Sequence, residues 1–246
     1  MRNKWTFMII TGFVLLAGTS VILGIQNKQM NEHAQEMREI EAELEKQQEE
    51  QKKQQKLNAE IEQMKNDIDH LPDDYTVPGY DEWQQATQVG KYLNDESDGK
   101  LKEEWGTFLA IEAEKRDIDP FLVYELLYVE TGGTFDPKTV GPQTQYGHAY
   151  GLAQFMKNTG PWIADMAELP YEDERLFDPF YSIHLSVVYL EYLYSEYGDW
   201  DHALTAYHRG IGGLEDYLDD NGDAKSNYAE EIQDNADENQ FVAYDR

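Results

Sequence analysis

The sequence predicts an all-α protein in three parts: an uncharged opening stretch, a charged helix-forming run, and a helical globular domain. Three observations carry this. From Lys100 to about Tyr217 the chain is dense in aromatics and repeats apolar residues at three-four spacing, with no alternating strand pattern. From Lys28 to Leu71 it contains neither glycine nor proline and is dominated by Glu, Gln, Lys and Met, all good helix formers. Trp5 to Ile25 are twenty-one consecutive positions without a charge.

The opening stretch is long enough to cross a hydrocarbon core of roughly 30 Å as a helix. Arg2 and Lys4 precede it, which predicts a cytoplasmic N-terminus with everything after Ile25 on the far side. A cleaved signal peptide is the competing reading. The apolar run continues through Val21–Ile25, past the small residues Ala17, Gly18 and Ser20, and so favours an uncleaved anchor over residues 1–27.

Residues 28–71 read as a stalk. Met37, Ile40 and Leu44, then Leu57, Ile61, Met64, Ile68 and Leu71, recur with the spacing of a coiled-coil seam, but the two halves do not share one heptad frame. The pattern fits a weak homodimer or a solvated helix, with a reach of roughly 60 Å at 1.5 Å per residue. Residues 72–99 include Pro72, Pro78, Gly79 and Gly90, with a short helix near Asp81–Leu93, and read as a linker. The globular domain is expected over 100–217. Residues 218–246 are expected to form a solvated acidic tail.

Charge excludes one class of partner. The net charge is −29, of which residues 72–246 carry −26 (eleven Lys/Arg against thirty-seven Asp/Glu). Such a domain repels nucleic acid backbones. There is no cysteine, hence no disulfide, thiol nucleophile or zinc–thiolate site, and the six histidines show no metal-ligand spacing. No cofactor is expected.

One helix is chemically odd. Asp119-Pro120 is a strong helix start, and the run Phe121 to Val129 is apolar nearly all round until Thr131-Gly132-Gly133 stops it. Glu130 therefore sits at the negative end of a buried helix, where both desolvation and the helix dipole raise a carboxyl pKa. A carboxyl protonated near neutral pH can protonate a leaving oxygen. Glu125, flanked by the same kind of apolar residues, fits that description on periodicity alone, and a capping or paired glutamate fits it too.

Four blocks in order extend the reading. They are Glu130-Thr131-Gly132-Gly133-Thr134-Phe135-Asp136-Pro137, then Tyr150-Gly151-Leu152-Ala153-Gln154-Phe155-Met156 with Thr159 behind it. Phe177-Asp178-Pro179 leads through Ser182-Ile183 into a helix, and Ala203-Leu204-Thr205-Ala206-Tyr207-His208-Arg209-Gly210 closes the set. From about Ala113 to Tyr217 the chain resembles the catalytic domain of the soluble lytic transglycosylases (SLT), relatives of goose-type lysozyme. The resemblance implies a lysozyme-like helical fold with a groove for peptidoglycan glycan strands. It gives Glu130 the acid/base role and puts Thr131, Tyr150, Gly151, Gln154, Phe155, Tyr207 and His208 around the sugar.

Two departures stand out. His208 occupies the usual place of an asparagine and is expected to keep its contact with the sugar while adding a titrating group near Glu130. Lys157 stands where proline is common. The bland readings make Gly151 a turn, Gln154 a capping amide, Tyr207 a packed ring, Asp178 a helix cap and His148 a loop residue.

The resemblance implies that Glu130 alone suffices, the substrate closing a 1,6-anhydro ring on itself. A lysozyme-type hydrolase, with Glu172 or Asp173 as base, and a non-catalytic wall-binding scaffold are the alternatives. In each case the anchor implies a membrane protein facing the wall, and the absence of cysteine suits a Gram-positive bacterium.

Overall fold

The Gly- and Pro-free run is helical from Lys28 to Asp67, as part of one continuous helix, α1 (Arg2–Asp67), in a computed structural model that describes the backbone of residues 2–67 and 79–244. Side chains are described for residues 26–62, 79 and 81–240. Residues 1–59 form one unit and 60–246 a second. Within the first, Met30, Met37, Ile40 and Leu44 are all at least half exposed, so the first half of the seam is solvated in the single chain, whereas Leu57 in its second half is buried. Local contacts such as Gln35 to Glu39 (3.3 Å) and Gln54 to Asn58 (3.2 Å) support the exposed helix. The side chains of the apolar stretch Trp5–Ile25, on which the membrane reading rests, lie outside the described residues. Among the described residues no helix is long and apolar enough to cross a membrane.

The second unit begins earlier in the sequence than expected. The segment read as linker holds α2 (Tyr80–Glu96), which packs along α3 (Glu103–Glu114). A Cβ on Gly90 would meet the Thr107 amide nitrogen at 2.5 Å, and one on Gly106 would meet the Gly90 Cα at 2.9 Å. The two helices thus cross backbone to backbone, with Ala86 and Leu93 buried beside the glycines. Glycine at this contact leaves no bulky side chain to produce an apolar stripe, which is why periodicity undervalued the helix. Trp83 Nε1 also donates to Glu60 Oε2 at 3.0 Å.

The central helix, α4 (Pro120–Thr131), starts where its sequence signals placed it. The Asp119 carboxylate accepts from the Phe121 amide at 2.9 Å, and Gly132 at φ +60° ends the helix. Phe121 through Leu127 are buried without a break, so α4 is walled on every side. A loop leads to a hairpin of two-residue strands, β1 (Ala149–Tyr150) and β2 (Phe155–Met156), too short to show an alternating pattern. Then come α5 (Gly160–Met166), a 3-10 turn over Asp173–Phe177, and the long α6 (Pro179–Tyr197), capped by Asp178 on the Tyr181 amide at 3.0 Å. Asp178 is thus a cap.

Between α3 and α6 lies a buried charge cluster. Glu112 Oε2 meets His184 Nδ1 at 2.8 Å and Arg116 Nη1 at 2.9 Å, and its Oε1 meets Lys115 Nζ at 3.2 Å. Burial opposes ionisation of Glu112, but the His184 hydrogen bond and the surrounding charges outweigh it and hold the carboxyl at about 2.

The remaining helices are α7 (Trp200–Arg209), α8 (Ile211–Asn221) and α9 (Asn227–Tyr244). The expected solvated tail is overturned here. Along its one described face α9 packs on α4 and α7, burying Tyr228, Ala229, Ile232 and Ala236. The stripe is narrow and half of it is alanine, so the acidic residues around it dominate the composition. Midway along, Asn239 Nδ2 donates to Glu125 Oε1 at 2.7 Å and Asn235 Nδ2 to Oε2 at 3.3 Å.

Candidate active site

Glu130 occupies the last turn of α4, where the helix leaves the core. It is half-buried, with the rings of the α7 and α9 residues packed around it. The Tyr228 hydroxyl donates to its Oε1 at 2.5 Å. Burial pushes the carboxyl up and this hydrogen bond pulls it down; burial wins, leaving it at about 7. Glu125 is raised to a similar value, first by burial and against the two asparagine amides, but it is only 4% exposed and faces α9. Position therefore separates two carboxyls that periodicity could not: Glu125 is sealed in the core, and Glu130 stands at its edge.

The turn after Glu130 is locked by Thr131. Its hydroxyl donates to the Leu127 carbonyl at 2.7 Å and accepts from the Phe135 amide at 3.1 Å. Thr131 is buried, so it shapes the loop and is not available to a sugar. Phe155 is likewise buried, ring against Tyr207 at 5.7 Å and Tyr189 at 6.1 Å. Both expectations of substrate contact are corrected by burial.

Tyr207 stands close to the carboxyl: burial first, and the charge on Glu130 next, raise its phenol well above the usual value. Its hydroxyl donates to the Ala153 carbonyl at 3.0 Å, tying α7 to the second sequence block. Gly151 is required at its position. It has φ +76°, and a Cβ there would lie 1.8 Å from the Leu176 carbonyl oxygen. Gln154, at φ +50°, turns its amide back on its own loop, donating to the Gly151 carbonyl at 2.8 Å and more weakly to that of Thr139 at 3.4 Å. Its side-chain nitrogen braces the loop. Tyr150 stays half-exposed, with its ring edge on Phe177 at 5.7 Å and the Lys157 ammonium 4.9 Å from its centroid. Lys157 also pairs with Asp173 at 2.8 Å, and Tyr171 donates to the same carboxylate at 3.0 Å, so Asp173 is already committed. His148 is held in its loop by the Gly141 carbonyl at 2.7 Å.

His208 differs most from expectation. It is exposed and stacks flat on Tyr228, with centroids 4.5 Å apart and 9° between planes. It thus stands second from Glu130, behind the phenol ring. Partial burial and then the Arg209 charge lower its pKa. The residue that does touch the carboxyl, Tyr228, lies beyond the expected domain end. Its only local signal is an aromatic within a polar helix, and its partner is 98 residues away in sequence.

Fold and site define a mostly helical domain with one partly accessible carboxyl, raised to near-neutral pKa, at the end of its most buried helix. Residues 108–229 match the model of the transglycosylase SLT domain. Among solved structures, an inactive mutant of the lytic transglycosylase Slt from Pseudomonas aeruginosa is similar at 18% identity and a TM-score of 0.43, covering 64% of this chain. The 70 kDa soluble lytic transglycosylase from Escherichia coli is similar at 20% identity and a TM-score of 0.41, covering 68% of this chain. The chain spans 29% of the length of each. No curated protein matches it.

Proposed function

We propose that this protein is a peptidoglycan lytic transglycosylase that cleaves the β-1,4 bond between N-acetylmuramic acid and N-acetylglucosamine. The observation that carries the reading is Glu130: a carboxyl held at about 7, at the core's edge, within the segment that matches the SLT family. Protonated, Glu130 gives its proton to the glycosidic oxygen as the bond from that oxygen to C1 breaks. The substrate's N-acetyl oxygen stabilises the electron-poor C1. The Glu130 carboxylate then takes the proton of the sugar's C6 hydroxyl as O6 bonds to C1, which closes the 1,6-anhydro ring and restores the acid. Tyr228 favours the ionised form between the two steps, since a donor to a carboxylate stabilises its charge. A single carboxyl near pH 7 suits both duties, because it is neither too weak an acid nor too weak a base there. The commitment of Asp173 to Lys157 and Tyr171 disfavours it as the water-activating base of a hydrolase.

In this proposal Trp5–Ile25 tethers the enzyme to the membrane with its catalytic unit facing the wall, and the stalk limits cleavage to glycan within its reach. The test is mass spectrometry of products released from purified peptidoglycan by the full-length protein and by E130Q. Anhydro-muropeptides that disappear with E130Q are expected. Reducing-end products would replace the proposal with a muramidase, and no release by the unmodified protein would refute it in favour of a wall-binding scaffold.

A further inference from the structure

Beside the His208–Tyr228 stack the chain forms a cleft of about 400 Å³ lined by His208, Arg209, Gly213, Asp216, Tyr217 and Asp220. Local sequence explains its shape. Gly210, at φ +77°, ends α7 and turns the chain directly into α8. Gly213 approaches so closely that a Cβ there would lie 3.0 Å from the Arg209 Cβ, and the absence of a side chain leaves the floor open. Gly213, Asp216, Tyr217 and Asp220 follow at three- and four-residue spacing and so share one face of α8.

The lining carries both signs of charge. The Arg209 guanidinium lies 4.5 Å from the centroid of the Tyr217 ring, and Tyr217 is itself fixed by donating to the Lys225 carbonyl at 3.1 Å. Among the described residues Arg209 makes no ion pair, and neither does Asp216 or Asp220. A preset cation on an aromatic platform facing two carboxylates one helical turn apart is complementary to a ligand carrying both an anion and a cation. A neutral sugar supplies neither.

A glycan strand of the proposed substrate does carry such a group. Its muramic acid bears a short peptide with free carboxylates and, until cross-linking consumes it, a free primary amine. We propose that the α7–α8 cleft seats this peptide, its carboxylate on Arg209 and its free amine between Asp216 and Asp220, so that strands with uncross-linked peptides are preferred. The inference rests on the peptidoglycan reading above. The His208–Tyr228 stack connects the two sites: the Tyr228 hydroxyl, at the edge of the ring, donates to the reacting carboxyl, and one face of the same ring is covered by the His208 ring that lines the cleft.

The test uses the full-length protein, D216N/D220N and R209Q on three glycan preparations: strands with free-amine peptides, the same strands with the amine acetylated, and strands stripped of peptide. Acetylation removes one charge-assisted contact, so KM for the unmodified protein should rise about tenfold with little change in kcat. In D216N/D220N the ratio of KM values for acetylated and free-amine strands should fall towards one, whereas R209Q should keep it. Equal ratios in the unmodified protein and D216N/D220N, or no effect of acetylation, would overturn the inference. If peptide-free strands still give anhydro products in that case, the catalytic proposal survives it. No product from any of the three preparations would bring both down.

Discussion

Tyr228→Phe is the sharpest probe of the site because it deletes one atom and leaves the ring stacked on His208. In the folded protein two opposing effects act on Glu130: burial raises its carboxyl, and the Tyr228 hydroxyl, donating at 2.5 Å, lowers it. Removing the donor leaves burial unopposed, so the carboxyl must rise above its present value of about 7. A hydrogen bond to a charged group contributes about 1.5–3 kcal/mol, and each pH unit corresponds to about 1.4 kcal/mol, so the rise is about 1–2 pH units. On the proposed mechanism the acid form is the one that gives its proton to the glycosidic oxygen. Activity of the unmodified protein should therefore fall as pH rises through about 7, and that of Y228F should fall about 1–2 units later. The low-pH plateau should be lower in Y228F, because a more basic carboxyl is a poorer proton donor. The assay is kcat/KM for anhydro-product release across the pH range, with near-ultraviolet circular dichroism confirming that Y228F is folded. An alkaline limb that stays in place, or moves to lower pH, would refute the reasoning.

Three further substitutions test the scaffold. Glu125 has a folded pKa of about 7 against an ordinary 4.5, so the folded state holds the extra proton; stability is full below about 4.5 and declines as pH rises through 7, by about 3 kcal/mol in all. E125Q should remove that share of the decline, read as a flatter dependence of urea midpoint on pH, with the part due to Glu130 remaining. Glu112 works in the opposite sense: its carboxyl is held at about 2, so its contribution is present above 4.5 and is lost as pH falls through 2. Glu112→Ala leaves His184, Arg116 and Lys115 without their shared anion and should cost about 3–5 kcal/mol in chemical unfolding at neutral pH. Gly151→Ala forces a Cβ into a left-handed backbone 1.8 Å from the Leu176 carbonyl oxygen; it should lower stability by about 2 kcal/mol or more, measured as a drop in Tm.

What could be read in advance was what is written locally. Asp119-Pro120 and Gly132-Gly133 bracket α4 because caps and stops act within one turn, and the odd carboxyl at its end follows from that bracket. The four blocks located the loop around Gly151 and the α7 residues that face it. What escaped was written at a distance. α2 meets α3 through glycine backbone, and α9 meets α4 through alanine, so neither helix shows a broad apolar face. Tyr228 is chosen by its partner 98 residues upstream, and a local pattern holds no trace of such a pairing. The roles expected for Thr131 and Phe155 failed for a related reason: a residue next to a site in sequence can point into the core, and only packing decides which way. Gln154 turns inward because its left-handed backbone brings its amide over Gly151, a geometry that residue type alone does not fix.

The reach of α9 back to α4 also bears on when a chain becomes competent during its own synthesis. All four sequence blocks have been made once Gly210 is complete, yet the hydroxyl that holds Glu130 is added eighteen residues later, and the alanines that seat its helix later still. A nascent chain paused between those points has its reactive carboxyl on an unfinished wall, with the core side of α4 open to water. Desolvation, which keeps that carboxyl protonated, arrives with the last helix. On the proposed mechanism, the proton that Glu130 is to donate is thus held only once the last helix has docked.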